Sequence, residues 1–155
     1  MGLDMYLHKV KKEEVAYWRK ANAIHAWFSR IYEKENNGEE LDNCQELYVT
    51  KEDLIDLKNI CKRVLESSKL VYKEVPVKKF DYEKKEYVQA YRTMKVLEDS
   101  SVAEELLPTQ SGFFFGSTVY DEWYVHDLEE TINQINKILA EVDFDEYNIV
   151  YHAWW

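Results

Sequence analysis

Between positions 125 and 142, Val125, Leu128, Ile132, Ile135, Leu139 and Val142 recur in steps of three and four. Only an α-helix turns that spacing into a continuous apolar stripe. Glu129, Glu130 and Glu141 fall off the stripe. A helix with one apolar face must bury it against a second layer, so the rest of the chain has to supply that layer.

The spacing predicts this helix over 121–142 and two more before it. Over 13–35, Tyr17, Ala21, Ile24, Phe28 and Ile31 form a stripe that stops at Asn36-Asn37-Gly38. Thr50 opens the other as an N-cap, with Asp53 three residues on and Leu54, Leu57, Cys61 and Val64 on its inner face. Cys61 is then a core thiol. The two ends of the chain alternate instead. Over 3–10, Leu3, Met5 and Leu7 oppose Asp4, Tyr6 and His8; over 147–155, Tyr147, Ile149, Tyr151, Ala153 and Trp155 share a side. Two short strands at opposite ends are expected to pair with each other in one small antiparallel sheet. In 70–97, Val71, Val75 and Val77 alternate around Pro76, and 87–96 is rich in Tyr, Val and Thr. This favours a β-hairpin turning near 81–85 with Pro76 on an edge strand, against a helix over 83–97 as the alternative. The expected fold is α+β, with three main helices on a small antiparallel sheet that includes the paired N- and C-terminal strands. It is expected to be one domain over 1–155, with 69–97 as a hairpin extension.

Four Gly and two Pro leave little room for linkers, and 23 aromatics argue for an ordered chain. No apolar run nears the roughly 20 residues of a membrane-spanning helix, and the start lacks a signal peptide's hydrophobic stretch. Tyr6 stands where a myristoylation motif takes Ser or Thr. A cytoplasmic protein that does not engage membranes is expected, and two widely spaced cysteines suit a reducing compartment. The net charge of −10 is unevenly spread: 69–97 carries eight basic and four acidic residues, whereas 98–155 carries one and thirteen. An acidic C-terminal third repels nucleic acid and steers a basic partner.

His8, His25, His126 and His152 make no metal-ligand spacing, and phosphate-loop, dinucleotide and nucleophile-elbow motifs are lacking. No metal, cofactor or catalytic residue is indicated. Two constellations remain. Trp18, Asn22 and His25 share a helix flank beside Arg19, a set able to hold a planar anion by charge, hydrogen bonds and stacking. Packing at the edge of the core serves Trp18 and His25 equally well. The segment 108–118 brackets three Phe with Gly112 and Gly116 and adds Thr109, Gln110 and Ser111. It offers either a ligand loop or a tight turn followed by a core strand of three Phe. Asp121 and Glu122 already satisfy the following helix N-terminus, so it is a poor phosphate cradle.

The phrases GLDMYL (2–7), YWRKANAIHAWF (17–28) and ELLPTQSGFFFGSTVYDEWYVHDL (105–128) resemble a family of small uncharacterised proteins encoded by phages and prophages. Some members carry the label phosphoglycerate kinase, which does not fit: that enzyme is two-lobed and far longer. The segment 69–97 looks longer than in that family and reads as a variable insertion. The resemblance implies an accessory protein that binds and neutralises a host factor or sequesters a small molecule. The leading expectation is non-catalytic binding of a host or phage protein. Trp123, Tyr124 and Trp154 would be exposed anchors, and Glu129, Glu130 and Glu141 would form the acidic surround. The alternative is a pocket for an anionic, nucleotide-like molecule, bound or slowly hydrolysed, between the first helix and the loop. It would use Trp18, Arg19, Asn22, His25, Thr109, Gln110 and Ser111. Self-association is left open.

Overall fold

A computed structural model of the chain describes residues 3–7 and 10–155. In chain order these form α1 (Asn22–Glu35), β1 (Leu47–Val49), α2 (Lys51–Ser67), β2 (Leu70–Asp81), β3 (Glu86–Leu97), α3 (Ser101–Leu106), α4 (Glu122–Glu141) and β4 (Ile149–Tyr151). The fold is α+β, with two separate two-stranded antiparallel sheets. Among the described residues no helix is long and apolar enough to cross a membrane.

Local chemistry sets α2 as expected. The Thr50 hydroxyl accepts from Asp53 N–H at 3.1 Å, and the Asp53 carboxylate accepts from Thr50 N–H at 2.9 Å. Two orphan donors at the helix start are thereby satisfied. Leu54, Leu57, Cys61 and Val64 are its buried residues, and burial pushes the Cys61 thiol up to about 12. In α4 the fully covered line is Tyr124, Leu128, Thr131, Ile135 and Ile138. Val125, Ile132, Leu139 and Val142 border the core one residue further round. Leu128 and Ile135 of the expected stripe lie in this line, whereas Thr131, 0% exposed, counts as polar in sequence. Its hydroxyl donates to Asp127 C=O at 2.6 Å and accepts from Trp18 Nε1–H at 2.9 Å, so it is satisfied inside the core.

Three expectations are corrected. The first helix starts at Asn22, nine residues later than its apolar spacing suggests. Lys20 adopts a φ of 56°, which breaks the helix, and the segment before it is tied down in another way. Tyr17 N–H donates to Gln134 Oε1 at 2.7 Å, and Lys12 pairs with Glu46. Second, the C-terminal strand pairs with a strand other than the expected N-terminal one, which the described residues do not form. β4 pairs with β1 in the register Leu47↔Tyr151, Tyr48↔Val150 and Val49↔Ile149. Leu3 to Leu7 carry no strand, and Leu3, Met5 and Leu7 are exposed; His8, the last polar residue of the expected alternation, lies outside the described residues. β1 joins α1 to α2, so its Leu47 and Val49 reach the core with their neighbours. Third, a short α3 that the spacing did not reveal buries Ala103.

The hairpin forms as expected. β2 and β3 pair over twelve residues each, from Leu70↔Leu97 to Asp81↔Glu86. Its turn has no glycine; Lys85 takes the left-handed conformation instead, with φ 53°, and Asp81 Oδ1 accepts from Glu83 and Lys84 N–H. The ribbon is anchored at its base, where Leu97 N–H donates to Tyr120 C=O and Glu98 N–H to Lys69 C=O. Between Val71 and Lys95 no residue is fully buried.

Candidate functional site

Asn22, at the first turn of α1, organises the 108–118 loop. Its side-chain amide donates to Phe115 C=O at 3.0 Å and to Ser117 C=O at 2.8 Å, while its Oδ1 accepts from Gln110 N–H at 3.0 Å. The side chain is 6% exposed, and both its amide protons and its oxygen are used. Thr109 closes the loop from the other side, with its hydroxyl donating to Thr118 C=O at 2.8 Å. Gly116 takes a φ of +82°. At Gly112 a Cβ would meet the Phe115 ring at 2.7 Å, so only glycine admits that ring.

The three Phe divide. Phe115 turns inward, with its ring 5.1 Å from His25 and 5.5 Å from Trp155. Phe113 and Phe114 stand out, 94% and 59% exposed, edge to face with centroids 4.7 Å apart. Of the alternative of a tight turn with a core strand of three Phe, the turn is present, closed by Phe115 N–H donating to Gly112 C=O at 3.1 Å, and the strand is not. Phe113 and Phe114 are the surface residues that the sequence reasoning did not select. The signal for them is the pair of glycines on either side, which marks a turn.

His25 is committed to structure. Its Nδ1 lies 2.6 Å from the Tyr151 hydroxyl, and its ring also packs against Trp155. Burial lowers its pKa from 6.5. Trp18 is held by Thr131. Trp18 packs against the core, and the His25 ring also meets Phe115 of the loop.

A cleft of about 280 Å³ lies between the loop and the start of α4, lined by Arg19, Lys20, Thr109, Ser117, Asp121, Trp123 and Asp127 among others. Of the expected pocket set, Arg19, Asn22 and Thr109 reach it; Trp18, His25, Gln110 and Ser111 are not among its lining residues. Asp121 and Asp127 line the same cleft as Arg19 and Lys20. Asp121 caps α4, accepting from Trp123 and Tyr124 N–H at 3.1 and 3.0 Å. Asp127 is raised to about 6, chiefly by burial, with His126 lowering it and Asp121 raising it. The volume sits at the small end of ligand sites, and the mixed charge does not single out an anion.

Of the expected anchors, Trp123 and Trp154 are 69% and 80% exposed, and Glu129, Glu130 and Glu141 are exposed. Tyr124 is not an anchor. It is 5% exposed, and its hydroxyl donates to Leu107 C=O at 2.8 Å, because residue 124 begins the buried line of α4. Among the described residues no group of three or more His, Cys, Asp and Glu is placed to hold a metal ion. The chain matches no protein family, no curated protein and no solved structure.

Proposed function

We propose that the protein is a phage-type accessory protein that binds a host or phage protein without catalysis. The observation that carries this is the loop held by Asn22. Three hydrogen bonds from one buried side chain fix a turn whose outward residues are two exposed phenylalanines. Exposed aromatics on a pre-ordered turn suit an interface anchor, because little conformational freedom is lost when a partner covers them. Trp123 adds a third aromatic beside the cleft that Gly116 and Ser117 also line. Beyond it the outer face of α4 carries Glu129, Glu130 and Glu141, which would steer a basic partner and make association salt-sensitive.

The test is capture from cells of a phage host at low salt, comparing the natural chain with Phe113→Ala/Phe114→Ala and with Glu129→Lys/Glu130→Lys/Glu141→Lys. One stoichiometric protein is expected, its yield reduced at least about tenfold by the double Phe substitution and also reduced by charge reversal. All substituted side chains are exposed, so the variants should melt like the parent. Equal capture by all three chains would overturn the proposal.

A further inference from the structure

The hairpin presents a second surface with different chemistry. Side chains directly opposite in an antiparallel pair share a face, so the register puts Tyr72, Lys78, Tyr87, Gln89, Tyr91 and Lys95 on one side of the ribbon, with Glu74 as the acid among them. Tyr72, Tyr87 and Tyr91 are 75%, 71% and 65% exposed. Tyr87 and Tyr91 lie about 14 Å apart along β3, and Tyr72 lies about 14 Å beyond the Tyr91 row. Phe80, 5.2 Å from Tyr87 and 5.0 Å from Tyr82, braces the tip. A depression of about 350 Å³ opens on the same side between Pro76, Lys78, Tyr87 and Gln89. It places an aromatic ring, a cation and an amide around one hollow.

We infer that this face of the β2–β3 ribbon binds single-stranded nucleic acid. Bases stack on the tyrosines, Lys78 and Lys95 meet phosphates, and Gln89 reaches a base edge in the hollow. The net charge of −10 argues against nucleic acid only if the ribbon feels the whole molecule. A strand of twelve residues is about 40 Å long, and charges are screened over about 8 Å at physiological salt. The outer ribbon therefore sits several screening lengths from its base, with the positive balance of 69–97 around it and the acidic 98–155 behind it. That length also suits sites of about 4–16 nucleotides. Stacking on exposed aromatic rings needs unstacked bases, so a duplex is disfavoured. An acidic peptide would use the lysines and leave the tyrosines without a role.

The test is fluorescence anisotropy of the intact chain with labelled oligothymidylate and oligouridylate of about twelve nucleotides, a duplex of equal length and a polyglutamate peptide. Single strands are expected to bind more tightly than the duplex or the peptide. Affinity should fall about tenfold for Tyr87→Ala and again for Tyr91→Ala, and about tenfold between roughly 50 and 200 mM salt. Phe113→Ala/Phe114→Ala should leave it unchanged, which separates this surface from the proposed protein anchor. Absence of binding at low salt, equal binding of duplex, preference for polyglutamate, or indifference to both Tyr substitutions would each overturn the inference. Tyr87→Phe, which keeps the ring and the strand, should bind like the parent; its failure would overturn the stacking role.

Discussion

Asn22, Asp127 and His25 show how much of a local constellation a sequence can carry. The spacing placed Asn22 and His25 on one helix flank beside Arg19, but it could not show that Asn22 would face a loop some ninety residues on. Nor could it show that His25 would meet Tyr151 and Trp155. Opposing walls come from tertiary contacts. The two titrating residues give opposite pH signatures, which makes the placement testable. Asp127 is raised from 3.8 to about 6 by burial, so the folded state holds its proton more tightly than the unfolded state. Its cost is absent below 3.8, grows through that window and is complete above about 6. Asp127→Asn is expected to stabilise the fold by roughly 1 kcal/mol at neutral pH, after allowance for the screening of a half-exposed group, and to do nothing near pH 4. His25 is lowered from 6.5, so its contribution is complete above 6.5 and is lost as pH falls below it. His25→Gln should flatten that acid-side loss. Thermal melts of the three chains across this range check both signs. A neutral-pH destabilisation by Asp127→Asn would mean that its carboxylate is solvated or paired.

Elements were legible where a short-range pattern decides them. The Thr50 and Asp53 box needs residues only three apart, and α2 begins where it says. The hairpin followed from alternating Val and Tyr, although its turn used Lys85 rather than a glycine. The start of α1 was not legible, because the periodicity of Tyr17 and Ala21 continues past the point where Lys20 turns left-handed. Tyr17 is 63% exposed, so its place in the apolar stripe was coincidental. Likewise 3–7 alternates without forming a strand, since alternation states which side would be buried and not whether a partner strand exists. Thr50→Ala removes the cap acceptor for Asp53 N–H and should cost about 1 kcal/mol. Asp53→Ala should cost a similar amount, and the double variant less than the sum, because each single change already breaks the reciprocal pair. Urea melts monitored by far-ultraviolet circular dichroism measure all three. Additive losses would show that the two hydrogen bonds act independently.

At the scale of the molecule, the charge blocks mark a physical division. The basic 69–97 is nearly coextensive with the ribbon, and the acidic 98–155 contains the whole of α4. The core draws on α1, β1, α2, α3 and α4, with β4 packed against it, but takes from the ribbon only its base, at Leu70, Val96 and Leu97. Residues between Val71 and Lys95 bury little, so their loss removes little of the hydrophobic stabilisation that scales with buried area. Val71 and Val96 are directly paired, which permits a clean excision: 72–95 replaced by Asn-Gly, a pair suited to a two-residue hairpin turn. The excision deletes seven basic and four acidic residues and takes the net charge from −10 to −13. The added self-repulsion is expected to cost little at physiological salt, where exposed charges more than about 8 Å apart are screened. The shortened chain should keep its cooperative melt and lie within about 1 kcal/mol of the parent. Its retained Leu97 N–H to Tyr120 C=O bond and Val96 bridge to Asp121 should still hold the base against the start of α4. Loss of the cooperative transition would show that the ribbon closes the fold. Retention would establish it as an appendage whose sequence is free to serve binding.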